Sequence, residues 1–253
     1  TSTMAKMGTA NSMGTILGPA VSGALATFGL LAPLYFAGCL SALAALLIWR
    51  QLPSTPRESL VSRGMRARLR WRDPRLRLYV MSAIGLFVGF SGIQQTLGFQ
   101  LQDKLSLTGI QTAQMTGAAL MVSATFTFIM QVTVMQRLKL RSLQFVRIGL
   151  LSMMFGAATI SASDSFAVLA VGMAFLGAGL GLCMPAISAG ASLAVTPEEQ
   201  GGAAGLISAC PALGFIAGPI CAGALYQING SLAPLFSAAV FFVLLVILVV
   251  KDR

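Results

Sequence analysis

The runs Met7–Trp49 and Gln200–Val250 contain no charged residue. Each is at least twice the roughly 20 residues with which one helix crosses the hydrocarbon of a bilayer, so each holds two spans. Inside a membrane every backbone amide and carbonyl must be paired within the protein, so a continuous apolar run is a helix. Four more runs of this kind lie between them, at Leu78–Gln102, Gln111–Gln136, Ser142–Ser163 and Phe166–Leu193, with Arg147 the one near-exception. Hydrophobic residues make up 56% of the chain and charged residues 9%, far more apolar surface than a water-soluble domain needs. The sequence therefore predicts an all-α membrane protein of eight transmembrane helices.

The segment Gly29–Pro33 supplies a turn that divides the first run into span 1 (about 5–28) and span 2 (32–50), and Asn229–Gly230 divides the last into spans 7 and 8. Thr196-Pro197-Glu198-Glu199 is a start signal for span 7, with proline in a first-turn position and carboxylates near the positive end of the helix dipole. Arg147, one turn into span 5, is expected to snorkel to the headgroups. Between Arg50 and Arg77 stand nine arginines against Glu58 and Asp73, broken by Pro53, Pro56 and Pro74. This is an aqueous segment, with a short helix expected at 57–71.

Of the 17 Lys and Arg, only Lys104 falls in a connection on the opposite side from the others. By the positive-inside rule the arginine-rich segment and both chain ends are cytoplasmic. The net charge of +10 thus belongs to membrane topology and not to nucleic-acid binding. Cys39, Cys183, Cys210 and Cys221 all lie in apolar runs, where they act as small hydrophobes without metal-ligand spacing or a disulfide framework.

A second constraint comes from a repeat. Gly14, Gly18, Pro19, Gly23, Ala24 and Leu25 recur without a gap as Gly214, Gly218, Pro219, Gly223, Ala224 and Leu225, and Leu31-Ala32-Pro33-Leu34 recurs as Leu232-Ala233-Pro234-Leu235. Span 1 therefore matches span 7, and span 2 matches span 8. The period of six is even, so both copies run the same way across the bilayer, a parallel repeat of six-helix halves. On this count residues 1–52 are the last two helices of an N-terminal bundle, 53–76 a cytoplasmic basic connector, and 77–253 a complete C-terminal six-helix bundle. Four helices are expected upstream, making the chain the last eight of twelve.

With this architecture the chain resembles the major facilitator superfamily. Within it, span 1 is similar to the fifth helix of the drug:proton antiporter (multidrug and tetracycline efflux-like) families, whose signature is Gly-x8-Gly-x3-Gly-Pro-x2-Gly-Gly. Gly14, Gly18, Pro19 and Gly23 match, while Ala5 and Ser22 replace two glycines; in span 7, Gly205, Gly214, Gly218, Pro219 and Gly223 match and only Ala222 departs. Gly14 and Gly18 lie one turn apart, which lets a neighbouring helix approach to backbone contact, and Pro19 removes a hydrogen bond and kinks the helix. The resemblance implies that this kinked seam lies between the two bundles and seals one side of the cavity. A second family signature, a basic loop with glycine and aspartate, is only partly present: Met135–Arg141 keeps the cations but lacks both.

The resemblance also implies that spans 3 and 6 line the substrate cavity. Span 3 offers Phe87, Phe90, Gln94 and Gln95, with Ser91 and Gln102; span 6 offers Phe175 and Met184, with Cys183 and Ser188. Adjacent amides in a spanning helix must find partners or water, but they point about 100° apart, so Gln94 and Gln95 do not both face one substrate. Aromatic and methionine side chains make an adaptable apolar wall. No Asp, Glu or His lies deep in any span, so a proton carrier is expected in the upstream helices. No nucleophile–base pair, phosphate loop or metal cluster is present, and Gly177-x-Gly179-x-Gly181 is a helix-packing face. These features predict a non-enzymatic secondary transporter, without metal or cofactor, in a plasma (bacterial inner) membrane. Its expected partners are the lipid bilayer, protons and a lipophilic or amphiphilic small molecule to be exported, and no nucleic acid. Alternatives on the same fold are a metabolite uptake or facilitative carrier and a transport-inactive sensor or assembly protein.

Overall fold

A computed structural model describes residues 18, 21–22, 24–29, 31–51, 73–134 and 141–251. Seven long helices follow one another: α1 (Ala32–Gln51), α2 (Arg77–Leu105), α3 (Gly109–Ile129), α4 (Ser142–Ser161), α5 (Phe166–Leu193), α6 (Gln200–Ile228) and α7 (Leu232–Lys251). They correspond to predicted spans 2–8, and each is long and apolar enough to cross a membrane. No strand occurs among the described residues. Most of predicted span 1, the short helix expected at 57–71 and the loop 135–140 lie outside them.

The turn expected at Gly29–Pro33 is present, with Gly29 at φ +136°, a backbone conformation that only glycine adopts without strain. Asp103 and Lys104, expected in a connection, instead form the last turn of α2, which ends at Ser106 in the left-handed conformation. The α3 start is a capping box, Thr108 with Gln111, and Ser165 caps α5 by accepting from the Val168 amide. At its far end α3 widens into a π turn, Met130–Val134.

Helices α2–α7 share one apolar core, whereas α1 buries none of its residues. Association within lipid gains nothing from hydrophobic exclusion, so these helices meet where small residues allow backbone contact. On α5, Gly177 and Gly181 press against Ser123 and Thr127 of α3, and Gly172 and Gly179 against Gly156 and Gly149 of α4. A methyl group on Gly156 would stand 2.6 Å from the Gly172 carbonyl oxygen. The predicted glycine face of α5 thus serves two neighbours at once. Thr127 Oγ1 adds a bond of 2.8 Å to the Gly177 carbonyl.

Arg147, expected one turn into its span, is half-buried at the α4–α7 seam, where its guanidinium reaches the last turn of α7 and donates to the Leu248 carbonyl at 3.0 Å. The last turn of α7 leaves its carbonyls without intrahelical partners, and a cation there is favourable.

Candidate functional site

The site is built on α2. Its back is set by α7, which packs against Gly85, Gly89 and Gly92; Phe241 and Leu244 fill the space that side chains on the first two would occupy. Residues two apart on a helix point about 200° apart, so Phe87, between Gly85 and Gly89, faces away from α7. Gln94, seven residues on, lies within about 20° of Phe87. Phe90 meets Phe87 edge-on at 6.4 Å between ring centroids. Gln94 is half-buried and Gln95 exposed, and neither amide has a hydrogen-bond partner among the described residues. Among the described residues, neither takes part in the interhelical bonding that would otherwise explain amides in a span.

The α6 glycines split into two sets. Gly214 and Gly218 touch α2: a methyl group on Gly214 would lie 2.7 Å from the Phe87 carbonyl carbon and 2.9 Å from the Val88 nitrogen. Ser91 Oγ donates to the Gly214 carbonyl at 2.9 Å across the same seam. Gly205 and Gly223 stand nine residues to either side of Gly214, about half a turn round the helix, and nothing lies within 4 Å of a methyl group added at either. Pro219, inside α6, is half-buried. The α6 copy of the motif thus packs against α2 through one face and leaves the other face open among the described residues. Of the span 1 copy, Gly14, Pro19 and Gly23 lie outside the described residues, while Gly18 is exposed and a methyl group added there would meet none of the described residues within 4 Å.

This close approach delivers a residue that sequence reasoning missed. Phe215, next to Gly214, reaches Phe87 at 5.9 Å between centroids, giving a row of three rings across α2 and α6. The signal was available in principle, since the residue beside a motif glycine sits at the helix crossing.

The α5 candidates do not converge. Met184 is half-buried, but Phe175, nine residues earlier, points to the opposite side of the helix. It lies beside α4, with its carbonyl accepting from Ser152 at 2.7 Å. Cys183 is fully buried, with its thiol toward the Val146 carbonyl, and Ser188 is exposed. The structure brings Phe87, Phe90 and Gln94 onto one stretch of α2, adds Phe215, and leaves Phe175 apart.

An ion cluster holds the start of α2. Arg75 makes a two-pronged contact with Glu199 in the α5–α6 turn (3.0 and 3.2 Å) and bonds Asp73 at 2.9 Å. Glu199 also accepts from the Thr196 amide, so the expected start signal is completed by Arg75 from the turn that precedes α2. The guanidinium holds both carboxyls below their ordinary range, and its own value is raised in return. No group of side chains suited to a metal ion occurs among the described residues.

The family model described as Major Facilitator Superfamily matches residues 1–163 and 134–253, which together span the chain. The chain belongs to the major facilitator superfamily. Members of this superfamily are transporters that act on small molecules within the lipid bilayer. The crystal structure of the human organic anion transporter MFSD10 (TETRAN) superposes with a TM-score of 0.70 at 21% sequence identity. The match covers 94% of this chain and 61% of that one, and at such identity the likeness is one of fold. No curated protein matches the chain.

Proposed function

We propose that this superfamily member is part of a proton-coupled secondary transporter that exports lipophilic or amphiphilic small molecules by alternating access. The observation that carries this reading is the row Phe90–Phe87–Phe215, with Gln94 beside it, on the side of α2 turned from α7. Three rings and one amide without a partner among the described residues offer an apolar wall with a single polar anchor, the makeup of a site for varied amphiphiles. Residues 1–52 belong to the first bundle, 53–76 are the connector and 77–253 the second bundle. The connector and both ends are cytoplasmic, as the cation distribution supports. The coupling carboxylate belongs to the upstream helices.

A second reading, an organic-anion carrier, is favoured by the fold neighbour MFSD10. Against it, the cations nearest the core are engaged elsewhere: Arg147 with Leu248, and Lys104 with Ser161 and Ser163. An anionic cargo would then depend on a cation from the first bundle. Full-length protein in inverted vesicles separates the readings. Addition of cationic or neutral amphiphiles is expected to dissipate a preset proton gradient. Silence across such a panel, with transport of organic anions or a metabolite instead, would overturn the export reading.

A further inference from the structure

The other end of α2 is tied by polar groups to two neighbouring elements, beside a third bond that links α4 to the α6–α7 turn. Lys104 Nζ donates to the carbonyls of Ser161 (3.1 Å) and Ser163 (2.7 Å) around the α4–α5 turn. The Tyr226 hydroxyl, near the end of α6, donates to Asp103 Oδ2. Ser161 Oγ donates to the Ser231 carbonyl in the α6–α7 turn at 3.0 Å. Beside these bonds lies a cavity of about 10 Å³ whose polar lining is Gln100, Lys104, Ser163 and Ser165 and whose other walls are leucines.

Two of the residues lining this cavity have unused hydrogen-bonding capacity. Gln100 is only 1% exposed, and its Oε1 has no hydrogen-bond partner among the described residues. Its Nε2 lies 3.5 Å from the Gly230 carbonyl, the far limit of a bond. The Lys104 ammonium carries three protons, of which the Ser161 and Ser163 carbonyls take two. An unpaired buried acceptor is costly, and the cavity matches the volume that one water needs.

We propose that the cavity is a binding site for a single water molecule, which accepts the third Lys104 proton and donates to Gln100 Oε1. The bridge completes the pairing of a half-buried ammonium and a buried amide without any new protein contact. It joins the end of α2 to the α4–α5 turn as one hydrogen-bonded body. Such a body resists the splaying of helix ends when two bundles rock against each other.

The test uses the full-length protein in lipid nanodiscs. A map that resolves ordered solvent should show density within about 3.2 Å of both Gln100 Oε1 and Lys104 Nζ. No density there overturns the proposal, and density that disappears when gluconate replaces chloride assigns the site to a halide instead. Gln100→Met keeps side-chain length and removes the amide. With the water present, the variant strands it and lowers the melting temperature by roughly 2–4 °C. An unchanged or raised melting temperature would mean that the wild type carries an orphaned acceptor whose removal is a relief, and the proposal fails.

Discussion

Gly214→Ala tests whether the α2–α6 seam holds the candidate site together. The added methyl would lie 2.7 Å from the Phe87 carbonyl carbon and 2.9 Å from the Val88 nitrogen, where ordinary contact begins at 3.4 Å. These are backbone atoms and the Phe87 Cβ lies closer still, so no side-chain rotation relieves the clash, and the helices must part by about 1 Å. That movement stretches the Ser91–Gly214 bond from 2.9 Å past hydrogen-bonding range. Overpacking costs about 1–3 kcal/mol, and the lost bond about 1 kcal/mol more. Alanine's better helix propensity returns about 1 kcal/mol. The net is a destabilisation of about 1–3 kcal/mol, with Phe215 displaced from Phe87. Thermal unfolding of purified protein, with transport in vesicles, measures both consequences. Gly223→Ala is the control, because nothing lies within 4 Å of its added methyl. Equal loss of stability in the two variants, or none in Gly214→Ala, would refute the claim that this seam positions the site.

Three further outcomes are expected. Phe215→Ala removes one ring contact, worth about 0.5–1.5 kcal/mol, and should raise the KM for aromatic substrates about 3–10-fold with insertion unchanged; an unchanged KM removes Phe215 from the site. The carboxyls of Asp73 and Glu199 are depressed by Arg75, so their contribution to stability is full above the ordinary carboxylate range near pH 4 and is lost as pH falls through their lowered folded values. The difference in melting temperature between wild type and Arg75→Met should accordingly vanish on acidification, and a difference that grows toward low pH would contradict the cluster's role. Gly18→Leu should insert normally and abolish transport, since Gly18 is exposed among the described residues and its face is free for a seal with the second bundle; full transport in that variant means this face seals nothing.

The architecture was legible because lipid leaves few choices. The bounds of α5 match the predicted Phe166–Leu193, and the Asn229–Gly230 break falls between α6 and α7. Span ends were less legible: Asp103 and Lys104 read as a connection, yet they stay helical because Tyr226 and the Ser161 and Ser163 carbonyls pair with them. A charge within one turn of a helix end is compatible with either outcome, and only its partners decide.

By itself the sequence determined that the chain crosses a membrane as helices, that a glycine–proline motif near its start recurs near its end, and that charge is gathered at the helix ends. These follow from hydrophobic length and from the spacing of glycine and proline, which are local properties of the chain. The tertiary structure decided which face of each motif is used. Gly214 and Gly205 look equivalent in the pattern, but nine residues place them half a turn apart, one against α2 and the other open. It likewise set Phe175 beside α4, brought Phe215 to Phe87 and turned Arg147 toward Leu248. In a helix that is apolar all round, periodicity does not say which side meets a neighbour. That choice is made by the small residues of the helix packed against it, which lie far away in the chain.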